Sequence, residues 1–261
     1  MTRTRSEQWL AMGAMMLLVG APSRAAAASE ADLQRRVEQR LSDEEAVAAK
    51  IDVAVANDQV TLSGTLASLW EKEWAIERAE RTDGVAAVVS QVTLVVPRPD
   101  RDLAIMVADA VQRYPYYTVF DHVSGSVENG VVTLRGDVTP LRDKTGEIRE
   151  RVSKVVGVQE VVTEIDILSP GIGDERLRYA LALRLFNHSS MGRYFGYDPG
   201  IHIIVKTGYV TLKGIVYDEA DRLIADSEAR RTFGVIRVYN ELRTVDEVKK
   251  AAASAAAAGV V

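Results

Sequence analysis

Three copies of one pattern fill most of this 261-residue chain. The pentapeptide Val-Thr-Leu-Xaa-Gly occurs at residues 60–64, 132–136 and 210–214, and a Gly-Val pair with a further valine three residues later follows each copy. The two glycines of a copy lie 20, 21 and 20 residues apart; they are Gly64 and Gly84, Gly136 and Gly157, and Gly214 and Gly234. Matching offsets at three places predict three copies of one small structural unit.

The repeats divide the chain into predicted domains. These lie at residues 32–97, 102–168 and 174–246, after a segment at 1–28 and before an alanine-rich tail at 247–261. Prolines and glycines between the copies interrupt helices and strands, so we expect short linkers there. Units of this size hold only a small hydrophobic core.

Each copy has the apolar pattern of an α-β-β-α-β unit. Leu33, Val37 and Leu41 are spaced four residues apart, which predicts a helix with one buried side. An alternating strand, a tight turn marked by Asn129-Gly130 in the second copy, and the Val-Thr-Leu strand predict an antiparallel hairpin. A second helix then leads to a last strand, and a strand–helix–strand crossover predicts parallel pairing.

We therefore expect an α+β chain of three tandem modules, each with a three-stranded mixed sheet and two helices on one face. The first glycine of each copy is expected where a Cβ would collide with a neighbouring backbone. The second is expected to cap the second helix in the left-handed conformation.

The helix, the Val-Thr-Leu-Xaa-Gly strand and the Gly-Val-Xaa-Xaa-Val strand, in this order, resemble the BON domain, named for bacterial osmotically inducible and nodulation proteins. The third copy, with Ile201–Val205 leading into its glycine strand, is the most similar. The first copy departs from the pattern because Asn57-Asp58 replaces the turn glycine. The resemblance implies an envelope or periplasmic location, protection under osmotic stress, and weak binding to phospholipid surfaces or unfolded envelope proteins. It implies no catalytic residue.

Residues 1–28 have the pattern of a secretory signal peptide. Arg3 and Arg5 precede an apolar run at 10–20, and small residues follow at 25–28. The run is about half of the roughly 20 residues that a membrane-spanning helix needs. We expect cleavage after Ala28 and a periplasmic protein; an uncleaved anchor is the alternative.

Composition excludes several kinds of chemistry. The chain has no cysteine, which rules out disulfides, thiolate nucleophiles and cysteine-ligated metals. It has only three histidines, and no acidic pair recurs at matching positions in an apolar setting. A net charge of −5 argues against a nucleic-acid partner. We therefore expect no enzyme activity, no cofactor and no metal.

Charge distinguishes the three copies. The first two carry −5 and −4, whereas the third has 11 basic and 10 acidic residues, or +1. An anionic bilayer attracts each nearby basic side chain by about 1 kcal/mol. The third copy is therefore the favoured docking module, with Arg176, Arg178 and Arg184 of its first helix as candidates. A solvated helix face is the alternative.

Aromatic residues gather beside an arginine after the first helix of the second and third copies. The candidates for membrane contact are Arg113, Tyr116 and Tyr117 in the second copy and Arg193, Tyr194 and Phe195 in the third. Rings with a polar tip beside a cation suit the boundary between lipid headgroups and acyl chains. Packing of these rings over the edge of the sheet is the alternative.

Together these features predict a non-catalytic exported envelope protein. Its modules are expected to bind phospholipid membrane surfaces, in envelope maintenance or osmotic stress protection, and several weak sites on one chain strengthen one another. The alternative is a periplasmic holdase or scaffold that contacts unfolded or envelope proteins through exposed apolar patches or sheet edges.

Overall fold

The structure is a computed structural model that describes residues 24–95, 98–196 and 199–257. Most of the predicted signal peptide lies outside these ranges, and the first described helix begins at Arg24. None of the described helices is both long enough and apolar enough to cross a bilayer. The same ranges hold no group of three or more acidic or histidine side chains arranged to bind a metal ion.

The described chain forms three modules in succession. The first contains α1 (Arg24–Leu41), α2 (Glu45–Ala48), β1 (Ile51–Ala56), β2 (Gln59–Leu66), α3 (Leu69–Glu80) and β3 (Ala87–Leu94). The second contains α4 (Asp100–Gln112), β4 (His122–Glu128), β5 (Val131–Val138), α5 (Lys144–Ser153) and β6 (Glu160–Ile167). The third contains α6 (Ile172–Phe186), a 3-10 turn (Gly192–Tyr194), β7 (Ile201–Lys206), β8 (Tyr209–Val216), α7 (Glu219–Arg230) and β9 (Arg237–Thr244), and α8 (Val245–Ala257) follows it.

Each module has one three-stranded sheet with the predicted pairing. The Val-Thr-Leu strand is central, antiparallel to the strand before it and parallel to the strand after the crossover helix. The hairpin turns place two residues at positive φ, as a type I′ turn requires. Asn57 and Asp58 adopt this conformation without a glycine. The α+β fold class is confirmed.

The two long helices of a module cover one face of its sheet. In the first module Leu33, Val37 and Leu41 are buried against Val60 and Leu62 of the central strand. The same helix positions are buried in the other two modules. Each module therefore has its own core, built from the residues that the repeat shares.

The first glycine of each copy lies where the central strand crosses the chain that enters the preceding strand. Gly64, Gly136 and Gly214 have φ values of 138°, 144° and 121°. A Cβ on Gly64 or Gly214 would overlap the carbonyl oxygen of the residue just before that strand, and a Cβ on Gly136 would overlap that of His122, the first residue of β4. These positions therefore exclude any side chain.

The sequence predicted that the second glycine caps the second helix, and this prediction is wrong. The C-cap residues are Arg81, Lys154 and Arg231, and none has a left-handed backbone. The glycines lie three residues farther on, with φ values of 95°, 108° and 93°. In the first module Val85 N donates to Thr82 O across 3.1 Å, so Gly84 is the third residue of a β-turn. A positive φ at this position favours glycine.

Neighbouring modules are in direct contact. Arg149 of α5 pairs with Glu73 of α3, donating one hydrogen bond of 2.9 Å and a second of 2.5 Å. Between the second and third modules, Ile203 N on the open edge of β7 donates to Val119 O across 2.7 Å. Lys206 at the end of β7 forms an ion pair with Asp137. The second module thus covers an edge strand of the third.

Candidate binding surfaces

A groove of about 730 Å³ lies between the second and third modules. Its walls come from the chain that enters β4, the chain that leaves β5, helix α6 and the residues around the 3-10 turn. The large apolar side chains that line it are Phe120, Leu141, Tyr179, Leu183, Phe186 and Phe195. Its volume is in the range of about 300–1,000 Å³ that is typical of small-molecule sites.

The groove is lined by apolar side chains that remain open to solvent. Leu141 is 78% exposed, Leu183 66% and Phe195 62%. The Phe186 and Phe195 ring centroids are 5.1 Å apart, and Phe120 meets Tyr179 edge to face at 5.2 Å. A contiguous exposed apolar patch of this kind is typical of a binding surface.

Arg178, predicted to contact a membrane, is instead buried in the wall of this groove. Only 3% of the residue is exposed. One guanidinium nitrogen, Nη2, donates to Val205 O at 3.0 Å and Ser169 O at 3.4 Å, but Nε has no hydrogen-bond partner among the described residues. Burial lowers the pKa of this guanidinium, and nearby Asp174 and Glu175 act against that shift. Arg178 cannot reach a bilayer surface in this structure.

Three other predicted arginines, on α6 and at the end of α4, lie at the surface. Arg176 is exposed. Arg184 pairs with Glu228 at 2.6 Å, and Arg113 pairs with Asp109 at 2.8 Å. Arg113 and Asp109 are both more than half exposed, so their ion pair contributes little to stability and is screened by salt, whereas Glu228 is only 15% exposed.

The predicted aromatic candidates of the second module have different environments. Tyr116 is half exposed, and the guanidinium of Arg142 lies over its ring, 3.8 Å from the centroid. The Tyr117 hydroxyl accepts a 2.8 Å hydrogen bond from Val123 N, and its ring faces His202 of the third module. Tyr117 therefore belongs to the contact between modules.

The candidates of the third module are also separated by the fold. Tyr194 is buried, and its hydroxyl donates to the Asp221 carboxylate, which Arg193 also contacts. Burial and Asp221 raise the pKa of the Tyr194 hydroxyl. Phe195 alone of these three lines the groove. The alternative of structural packing describes Tyr194 better than membrane contact.

A second exposed apolar surface lies at the hairpin end of the third module, and sequence reasoning missed it. We call Tyr209, Phe233, Ile236 and Tyr239 the apolar tip. Phe233 is fully exposed, and the other three side chains are between 41% and 66% exposed. Tyr209 and Tyr239 stack with centroids 6.4 Å apart, and Ile236 N donates to Gly208 O in the hairpin turn.

The three copies differ at the position of the apolar tip. The residue before the second glycine is Asp83 in the first module, Val156 in the second and Phe233 in the third. Arg231 and Arg237 flank Phe233 and are exposed. Arg237 forms no ion pair with any residue in the described part of the chain. The sequence contains this difference, but it becomes visible only when the three copies are aligned and their differing residues are compared.

Two histidines face each other where the second module meets the third. The ring centroids of His122 and His202 are 5.2 Å apart. Burial lowers the pKa of His122 to about 4, and His202 and Lys213 contribute further in the same direction. The neutral form of His122 is therefore favoured in the folded protein.

Acidification is expected to weaken this contact. Between the ordinary histidine pKa of about 6.5 and the folded value of about 4, the unfolded chain binds more protons. The free energy of unfolding therefore falls as the pH drops through this window, by at most about 1.4 kcal/mol per pH unit. Urea unfolding of the wild type and of His122→Asn at pH 7 and pH 5 checks this, with a smaller pH effect expected in the variant. Equal pH effects would contradict the role of His122.

Comparison with known families agrees with the repeated fold. The model of the BON domain matches residues 29–95, 100–169 and 193–246, which together make up most of the chain. The chain belongs to the BON-domain family. The third match begins after α6, yet α6 packs in the third BON domain as α1 and α4 do in theirs. The resemblance to three tandem BON domains is confirmed.

The family is a non-catalytic, binding type of domain that is known from envelope and osmotic-stress proteins, many of them periplasmic. Among solved structures, two of CdsD, a structural protein of the type III secretion system of Chlamydia trachomatis, are similar at 14% and 15% identity. The matches cover 81% and 85% of this chain and 96% and 97% of those chains, each with a TM-score of 0.24. These scores are too low to transfer any function. No curated protein matches the sequence.

Proposed function

We propose that this is a non-catalytic exported envelope protein whose third BON domain docks on anionic phospholipid membrane surfaces. Its role would be envelope maintenance or protection under osmotic stress, and the pattern of residues 1–28 supports export to the periplasm. The observation that carries the proposal is the apolar tip, with exposed arginines beside it.

The tip has the chemistry of a shallow membrane anchor. Phe233 and Ile236 offer apolar surface to the acyl chains, and the two stacked tyrosines have the amphipathic character that favours the headgroup region. A fully exposed phenylalanine in water gains about 1.5–3 kcal/mol when it is buried. Insertion of the tip would supply that burial.

Charge supports an anionic surface as the partner. Arg237 is free of ion pairs among the described residues, and Arg231 is held only by a long 3.7 Å contact with Glu228. Each contributes about 1 kcal/mol when close to an anionic bilayer. The acidic first and second domains would be repelled, so docking by the third domain is favoured over docking by either of them.

Phe233→Ser is expected to lower binding to vesicles of phosphatidylglycerol and phosphatidylethanolamine about tenfold, since it removes the most exposed apolar group of the tip. Co-sedimentation of the full chain with these vesicles at low salt measures the effect. Val156→Ser, at the matching position of the second domain, is the control and should bind as the wild type does.

Equal binding by Phe233→Ser and the wild type would overturn docking through the tip. If the wild type does not pellet with vesicles at low salt but suppresses aggregation of an unfolded client protein, the holdase alternative is correct and the membrane proposal is wrong. Raising the salt concentration should release the wild type from the vesicles, because the arginine contribution is screened.

A further inference from the structure

We infer that the groove between the second and third BON domains binds one long-chain fatty acid, with the acyl chain along the apolar walls and the carboxylate toward Arg178. This ligand site is distinct from the apolar tip, since none of the tip residues lines the groove. It therefore adds a second binding activity to the proposed membrane docking.

The walls favour an acyl chain. The groove is lined by side chains from both domains, including Leu141 from the second and Leu183 and Phe195 from the third, and all three are mostly exposed. An acyl chain would cover this apolar surface, which water solvates poorly. The volume of about 730 Å³ suits a single small ligand.

Arg178 favours an anionic headgroup. It is a buried cation in the groove wall, and no carboxylate in the described part of the chain pairs with it. Asp121, a fully buried acid that also interacts electrostatically with Arg178, is already bound by Lys144 at 2.6 Å and by two threonines. Asp174 and Glu175 favour the charged form of Arg178 but form no ion pair with it, and burial of a charge without a close counter-charge is unfavourable. A ligand carboxylate in the groove would supply a counter-charge to the guanidinium.

The charge of the groove favours a carboxylate with a single negative charge. Among the described residues that line the groove, Arg178 is the one arginine, and Glu175 also lines it. A headgroup with two negative charges would be repelled by Glu175 without gaining a second cation. A fatty acid matches this balance.

Titration of the full chain with a fluorescent long-chain fatty acid, below its micelle concentration, tests the inference. We expect one ligand per chain and at least tenfold weaker binding by Leu183→Glu, which places a charge in the groove wall at an exposed position that folding does not depend on. Leu223→Glu is the matched control, since Leu223 is equally exposed on α7 and does not line the groove. Unchanged binding by Leu183→Glu would overturn the site.

Two further ligands test the role of Arg178 without altering the protein. The alcohol of the same chain length should bind at least tenfold more weakly, since it lacks the charge, and equal binding would overturn the part assigned to Arg178. If a lysophospholipid binds more tightly than the fatty acid, the assignment of a carboxylate headgroup to the ligand is wrong. Phe233→Ser should retain fatty acid binding even where vesicle binding is lost, so the two proposals fail separately.

Discussion

Gly136→Ala is expected to lower the free energy of unfolding of the second BON domain by about 3 kcal/mol or more. The backbone at Gly136 has a φ of 144°, which a residue with a side chain adopts only with strain. The new Cβ would also overlap the His122 carbonyl oxygen at the start of β4. Relief of the overlap requires β4 to move away from β5, which breaks the pairing that forms the sheet. Urea unfolding followed by far-UV circular dichroism measures the loss.

Gly173→Ala is the matched control for this substitution. Gly173 lies in the first turn of α6 and has an ordinary φ, and among the described residues no atom outside its chain neighbours and its own helix backbone lies within 4 Å of the position of a Cβ. The variant should change stability by no more than about 1 kcal/mol, in the stabilising direction, because alanine favours the helix over glycine. Equal unfolding midpoints for Gly136→Ala and Gly173→Ala would show that the close approach of the His122 carbonyl oxygen does not restrict position 136 to glycine.

The sequence predicted what is repeated, because the contacts that define a BON domain lie within one copy. The spacing of Leu33, Val37 and Leu41 identified the buried helix face, and the Val-Thr-Leu strand identified the centre of the sheet. These features depend on local periodicity and short turns. The role of the second glycine was missed because a β-turn and a helix cap both favour a positive φ, and sequence alone does not separate them.

The candidate sites depend on contacts between residues far apart in the sequence, which periodicity does not contain. Arg176 and Arg178 are two residues apart on α6, yet one is exposed and the other is buried beside Ser169 and β7. The hydroxyl of the buried Tyr194 donates to Asp221, which is 27 residues away in the sequence. Phe195, on the other hand, was predicted to be a contact residue and does lie exposed in a groove. Its neighbours in that groove include Phe186 of its own domain, 5.1 Å away between ring centroids, and the opposite wall comes from the second domain.

The contact between the second and third domains holds the groove and the apolar tip in fixed positions. The Val119–Ile203 backbone hydrogen bond and the Lys206–Asp137 ion pair hold the third domain by the strand edge farthest from β9. The groove opens on one side of this contact. The tip lies on the third domain alone, so it can reach a membrane without separating the two domains. We therefore expect the fatty acid site to remain intact in the membrane-bound protein.

Asp121→Ala is expected to destabilise the second domain by about 3–5 kcal/mol, the range found when one partner of a buried ion pair is removed. Asp121 is fully buried and accepts a 2.6 Å hydrogen bond from Lys144, itself only 2% exposed. It also accepts hydrogen bonds from the backbone and hydroxyl groups of Thr118 and Thr139, at 2.7–2.9 Å. Removal of the carboxylate leaves a buried ammonium and several donors without acceptors. Chemical unfolding measures the loss.

Glu164→Ala is the control, because Glu164 also forms a short ion pair, 2.6 Å from Arg135, but both side chains are about half exposed. This variant should lose less than about 1 kcal/mol. In the double variant Asp121→Ala with Lys144→Met the buried ammonium is gone, so part of the stability lost in Asp121→Ala should return. The alternative outcome is that the stability losses of Asp121→Ala and Lys144→Met simply add in the double variant. In that case the hydrogen bonds to the two threonines, and not the ion pair, account for the stability of this network. Thr118 and Thr139 also line the groove, so loss of Asp121 should weaken fatty acid binding as well.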